Sequence, residues 1–132
     1  MKICMIGVGY VGLVSGACFA DLGNTVHCVD TDQNKIDMLN DGNIPIYEPG
    51  LAEIVRKNHE SNRLKFGTNL KHAINQSDII FICVGTPSSG KNRSANLKYV
   101  LNAAHEIGKH LNKFKIIVTK STVPVCTGDK IE

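Results

Sequence analysis

The stretch Lys2–Asp30, KICMIGVGYVGLVSGACFADLGNTVHCVD, decides the fold. Ile3, Cys4, Met5 and Ile6 form a short apolar run without polar alternation, the pattern of a strand covered on both faces. Gly7-x-Gly9-x-x-Gly12 follows at once, and Leu13 to Leu22 reads as a small-residue helix that Gly23-Asn24 stops. Thr25 to Val29 is a second apolar run, ending on Asp30. The order is strand, glycine turn, helix, strand.

Each part has a physical role. Gly7 permits a tight turn out of the strand, Gly9 lets a pyrophosphate approach the backbone, and Gly12 lets the helix lie close on the strand. Unpaired N–H groups around Tyr10 and Val11 then face the phosphates, aided by the positive end of the helix dipole. Asp30 stands 18 residues beyond Gly12, near the spacing of about 20 for a carboxylate that holds an adenosine ribose. A carboxylate there favours NAD over NADP, because it bonds the ribose hydroxyls and repels a 2′-phosphate. Two other readings compete: a glycine-rich turn that binds nothing, and a methyltransferase, whose glycine pattern is usually tighter.

With 132 residues the chain suits one domain with a real core. High aliphatic and low aromatic content, with no Trp, suits an α/β domain around a Val/Ile-rich parallel sheet. A net charge of +3 without a basic stripe argues against nucleic acid and is compatible with an anionic ligand. The five cysteines (Cys4, Cys18, Cys28, Cys83 and Cys126) include no C-x-x-C pair. Neither a zinc site nor a disulfide framework is indicated, and buried reduced thiols in a cytoplasmic protein are the simplest account. Lys2 and the apolar stretch after it superficially resemble a signal peptide, but the glycine fingerprint explains the same residues more fully. No segment is long and apolar enough to suggest a membrane span.

Beyond Asp30, residues 32–39 read as a helix capped by Thr31 or Asp32, with Ile36 and Leu39 inward. Lys35, in its first turn, lies where it could reach the ribose or adenine, or simply be solvated. Ile44–Leu51 is a rigid connector with two prolines, and Pro49-Gly50 turns into a helix over about 51–58. Leu64–Phe66 is a short strand, and Asn69 caps a helix to about Asn75. Ile79–Val84 is the strongest buried-strand signal, with Gly85-Thr86-Pro87 at its carboxyl end, the edge where ligands lie in an open parallel sheet. Thr86 is thus a candidate for the nicotinamide-side wall, a plain turn being the alternative. Ser88–Ala95 reads as a polar loop with Lys91 and Arg93 solvated.

Leu97–Leu111 reads as a helix with Val100, Leu101, Ala104, Ile107, His110 and Leu111 near one face. His105 and His110 are five apart, whereas a helical zincin pair needs four, so no metal site is expected. Phe114–Thr119 is the next strand, and Thr122 follows it on the rim shared by Gly9, Asp30 and Thr86. Lys130-Ile131-Glu132 looks like the opening of a further helix, as in a fragment of a longer chain. Five strands separated by helices define an α/β, doubly wound parallel sheet of the Rossmann type, expected in the order 3-2-1-4-5 with ligand at the β1/β4 switch point.

GVGYVG at 7–12, NIPIYEPGL at 43–51, FICVGTP at 81–87 and KSTVPV at 120–125 together resemble the amino-terminal, NAD-binding domain of the UDP-glucose/GDP-mannose dehydrogenase family. The likeness runs in register over the whole chain. It implies NAD-dependent oxidation of UDP-glucose to UDP-glucuronate by two successive hydride transfers, through a thioester on a catalytic cysteine. It implies cofactor contacts from Gly7, Gly9, Tyr10, Val11, Gly12, Asp30, Lys35, Thr86 and Thr122. No catalytic residue is expected within 1–132, because the family's cysteine and its partners fall in later segments with the central helix and sugar-binding domain. Cys126 stands where many relatives carry Gly and is not expected to be the nucleophile. The resemblance also implies a homodimer or higher homo-oligomer built through that central helix. GDP-mannose or a UDP-N-acetylhexosamine as the sugar substrate, and a stand-alone NAD-sensing module, remain alternatives, although YEPGL and KSTVPV favour UDP-glucose.

Overall fold

The computed structural model describes residues 1–89 and 94–131. Its centre is a parallel sheet of β1 (Lys2–Ile6), β2 (Thr25–Val29), β3 (Leu64–Gly67), β4 (Ile79–Ile82) and β5 (Ile116–Thr119). The spatial order is β3-β2-β1-β4-β5, the expected 3-2-1-4-5. Every neighbouring pair is parallel, with Ile3 opposite Val26 on one side and Ile79 on the other. Five helices connect and cover the strands: α1 (Tyr10–Asp21), α2 (Gln33–Asn40), α3 (Leu51–Glu60), α4 (Leu70–Gln76) and α5 (Lys98–His110).

β1 divides the interior. Ile3 and Met5 join Leu13, Ala17, Val26, Leu51, Val55 and Leu64 on the face covered by α1 to α3. Cys4 and Ile6 join Ile74, Ile80, Ile82, Val100 and Ile107 on the face covered by α4 and α5. A central strand whose alternate residues both enter a core must be apolar throughout, which is why KICMI shows no polar alternation.

Several boundaries differ from the expected ones, each for a physical reason. The first helix starts at Tyr10 rather than Leu13, because Gly12 lies within its first turn and does not interrupt it. β4 ends at Ile82 rather than Val84, since the backbone after Cys83 leaves the ladder beside the glycine turn. On α5 the sheet-facing residues are Val100, Ala103 and Ile107, whereas Leu101 and Leu111 are exposed. The last strand begins at Ile116 rather than Phe114 and is an edge, and Phe114 before it is 89% exposed. Lys115, inside that apolar run, is buried and donates from Nζ to the Ser77 carbonyl. A two-residue antiparallel ladder, Ser88–Ser89 with Ser94–Ala95, occupies the ends of the expected loop, while Lys91 and Arg93 fall outside the described residues. At the far end Gly128–Lys130 is a single 3-10 turn, and the helix expected there reaches Glu132, also outside the described residues.

His27 on β2 stacks on His72 of α4 with ring centroids 5.9 Å apart. Burial, and after it the charges of Lys65, His72 and Lys2, hold the His27 imidazole below its ordinary pKa. The folded state therefore binds this proton less readily than the unfolded chain. The stability that goes with the neutral ring is complete above the unfolded value of about 6.5 and is lost as pH falls through the lower folded value. Thermal melts from about pH 7.5 to 5 should accordingly show a smaller fall in Tm for His27→Gln than for the parent chain. Equal falls would remove His27 from the acid response.

Candidate functional site

The site forms where β1 meets α1. Gly7 has φ +99°, and a Cβ there would come within 2.8 Å of the Cys83 carbonyl oxygen. A Cβ on Gly12 would lie 1.8 Å from the Gly7 carbonyl oxygen, so the helix rests directly on the turn that precedes it. Gly9 is different: a Cβ there would meet no atom within 4 Å. Gly7 and Gly12 are needed for backbone geometry, and Gly9 keeps open space in front of the helix.

Gly9 is the N-cap of α1 and has no side chain with which to cap it. The helical ladder starts with Leu13 N–H donating to the Gly9 carbonyl at 3.0 Å. The N–H groups of the first turn, Tyr10, Val11 and Gly12, therefore have no intrahelical acceptor. They form a donor cluster at the positive end of the helix dipole, suited to an anion.

Asp30 sits at the end of β2. Its Oδ2 accepts the Val8 N–H at 2.8 Å and its Oδ1 accepts the Asp32 N–H at 3.0 Å. Lys35 Nζ stands 3.6 Å from Oδ2. Asp32 in turn caps α2 by accepting the Lys35 N–H. One carboxylate thus fixes the glycine turn, while the cap places Lys35 beside it.

A cleft of about 660 Å³ opens along these residues. Gly7, Gly9, Asp30 and Lys35 line it. Tyr10 and Val11 are exposed on the first turn of α1 outside its lining, and Gly12 is buried beneath. Thr86 and Thr122 follow β4 and β5 at the same carboxyl edge, also outside the lining. Their two loops are joined by Ser121, whose Oγ donates to the Val84 carbonyl at 2.7 Å. At its other end the cleft reaches Thr68 and Leu70 at the start of α4, and Tyr99, Asn102 and Glu106 on α5. None of those five was expected at the site from the sequence; only the spacing 99, 102, 106 on one helix face could have marked three of them.

The buried thiols near this edge are held in the neutral form. Cys83 lines the cleft, but burial pushes its pKa up to about 11. Cys4 is pushed up to about 12, and Cys28 rises for the same reason. Cys126 is exposed with φ +66°, a conformation that Gly adopts without strain. Among the described residues no group of three His, Cys, Asp or Glu side chains is arranged to hold a metal ion, and no helix is long and apolar enough to cross a membrane.

A glycine turn with free N–H donors, an acid on the neighbouring strand and a long cleft at the switch point define a dinucleotide-binding domain. The residues fit such a group: space in front of Gly9 for a diphosphate, and a fixed carboxylate for a ribose diol.

The family described as "UDP-glucose/GDP-mannose dehydrogenase family, NAD binding domain" matches residues 1–132. The chain belongs to the UDP-glucose/GDP-mannose dehydrogenase family, and the part matched is its NAD-binding domain. It is 57% identical over 132 residues to the UDP-glucose 6-dehydrogenase of Rhizobium meliloti, covering all of this chain and 30% of that protein. Its identity to UDP-glucose 6-dehydrogenase TuaD of Bacillus subtilis is 57% over 131 residues, 99% of this chain and 28% of that protein. A solved GDP-mannose dehydrogenase from Pseudomonas aeruginosa superposes with a TM-score of 0.93 at 38% identity, over 99% of this chain and 30% of that one. The chain therefore spans about 30% of the length of the curated relatives it matches.

The glycines give a sharp test. Gly12→Ala should destabilise the domain by at least about 3 kcal/mol, because backbone must move to relieve the overlap. Gly9→Val should cost no more than about 1 kcal/mol of stability, the worth of a helix cap, since a Cβ there meets no atom within 4 Å, yet abolish measurable NAD binding, as its side chain would enter the space proposed for the diphosphate. Thermal melts and calorimetry on both variants separate the two roles; normal NAD affinity in Gly9→Val would refute a close approach of the diphosphate to this backbone.

Proposed function

We propose that this chain is the cofactor-holding part of an NAD-dependent UDP-glucose 6-dehydrogenase, which oxidises UDP-glucose to UDP-glucuronate in two hydride transfers. The observation that carries it is the 57% identity, over the whole chain, to proteins named for that activity. The 38% identity to a GDP-mannose dehydrogenase supports a second reading in which the nucleotide sugar differs.

In the proposed arrangement, NAD supplies the hydride acceptor when bound. Gly7 shapes the turn, Gly9 leaves the diphosphate room against the chain, and the N–H groups of Tyr10, Val11 and Gly12 hold the phosphate charge. Asp30 accepts hydrogen bonds from the adenosine ribose hydroxyls, with Lys35 beside it orienting the carboxylate. Thr86 and Thr122 border the nicotinamide end. The substrate oxidation needs a nucleophile and a base that these residues do not supply, so both belong to further segments of a longer protein. The length of the relatives supports that division. Protonated buried thiols fit a cytoplasmic setting, and a homodimer or larger homo-oligomer is the proposed assembly.

Asp30→Ala should weaken NAD binding by about 1–3 kcal/mol, the cost of losing hydrogen bonds to a fixed acceptor. Calorimetry measures it, and unchanged affinity would remove Asp30 from the site. With UDP-glucose and NAD, the 132-residue chain alone should form no NADH by absorbance, whereas the longer protein containing it should. Turnover by the chain alone would overturn the division of labour.

A further inference from the structure

The cleft continues past the ribose-binding acid to a face of α5 that none of the proposed roles uses. Tyr99, Asn102, Ala103 and Glu106 lie at i, i+3, i+4 and i+7 on that helix and all line the cleft. Val29, at the end of β2, and Leu70, at the start of α4, complete the lining there. The walls are thus largely apolar, with a carboxamide and a carboxylate one turn apart on one side. A flat heterocycle suits the apolar walls, and two polar groups at helical spacing suit its hydrogen-bonding edge.

We propose that Asn102 and Glu106 read the edge of the dinucleotide's purine, selecting a base with an exocyclic amine over one with an exocyclic oxygen. This deepens the NAD reading of the cleft and rests on it. An asparagine carboxamide can bond an adenine amine and the adjacent ring nitrogen together, and a carboxylate accepts from an exocyclic amine. Neighbouring side chains hold Glu106 in place: Oε1 accepts from Lys109 Nζ at 2.7 Å, and the His110 imidazole packs beside it with Nε2 3.9 Å from Oε2. A carboxylate has about four lone-pair positions, so acceptor capacity remains. The Lys109 hydrogen bond holds Glu106 below the usual carboxylate range, keeping it an acceptor only at neutral pH. An oxo group at the same place on the base would face negative charge with no proton to share. Asn102 makes no side-chain hydrogen bond to another described residue and is exposed on the helix surface, free to turn toward a ligand.

The test compares NAD with nicotinamide hypoxanthine dinucleotide, which replaces the amine by an oxo group, in calorimetry on the parent chain, Asn102→Leu and Glu106→Gln. The parent should bind NAD about tenfold more tightly than the analogue, a difference of about 1.4 kcal/mol. Glu106→Gln, whose amide can donate to the oxo group, should narrow that ratio at least threefold, chiefly by improving the analogue. Asn102→Leu should narrow it by weakening NAD. Melting temperatures near the parent's are expected for both, as these side chains are not in the core. Equal affinity of the parent for the two dinucleotides, or a ratio unchanged in both variants, would overturn the base-reading proposal while leaving NAD binding intact. Failure of the parent to bind either dinucleotide would overturn the NAD reading and this proposal together.

Discussion

The hydrogen bond from the Val8 N–H to Asp30 Oδ2, 2.8 Å long, joins the glycine turn after β1 to the end of β2. A second bond, from the Gly7 N–H to the Val29 carbonyl at 2.8 Å, ties the turn to the same strand end. Through the first, the residue between Gly7 and Gly9 is tied to the strand that carries the acid. The same carboxylate accepts the Asp32 N–H, and Asp32 caps α2. Loop, strand end and helix start are therefore set by one charged group with lone pairs to spare. In the proposed complex a ligand completes this network without having to organise it, which lowers the ordering cost of binding.

The helix follows from the same turn. Because Gly12 is seated on the Gly7 carbonyl, α1 leaves the sheet at a fixed point and its small residues reach the strand surface. Gly16 continues this: a Cβ there would meet the Cys28 sulfur at 2.7 Å. Farther out, polar contacts replace close packing. Asn58 is fully buried, donating to Asp21 Oδ1 at 3.0 Å and the Ile54 carbonyl at 2.9 Å while accepting from Arg63 Nε at 3.0 Å. It links α1, α3 and the approach to β3 through one side chain whose donors and acceptor are matched, as burial requires.

Strand order, the glycine turn, a cap for α2 at Thr31 or Asp32 (the structure uses Asp32) and the capping of α4 by Asn69 were legible in the sequence, because each rests on local chemistry: apolar runs, Gly spacing, polar caps. What was not legible depends on partners distant in the chain. Lys115 looks out of place in an apolar run until the Ser77 carbonyl is found beneath it. The run 114–119 reads as a strand, but its place at the sheet edge, where Ile116 and Ile117 are exposed, is not readable from hydrophobicity alone. That Gly7, Gly9, Asp30 and Lys35 would lie along one cleft followed from the glycine spacing and from Lys35 standing in the first turn after Asp30; that Asn102 and Glu106 line the same cleft did not, since one carboxamide and one acid on an amphipathic helix look like any solvated face.

The protonation of the thiol at the cleft also has a physical basis. A thiol is activated by a lowered pKa, from a neighbouring cation or a helix N-terminus. The helices that begin along the cleft, α1, α2 and α4, carry no cysteine in their first turns. The thiol that lines the cleft, Cys83, is instead raised by burial against the sheet, and Lys120, which acts in the opposite direction, is the weaker influence. A neutral thiol there suits the proposed role. A thiolate at the foot of the cleft would repel the diphosphate that the α1 N-terminus attracts, and would be exposed to oxidation whenever the cleft was empty. Keeping the buried thiols neutral preserves a field that is positive at the α1 N-terminus and negative at Asp30, the order in which a diphosphate and a ribose diol would meet it.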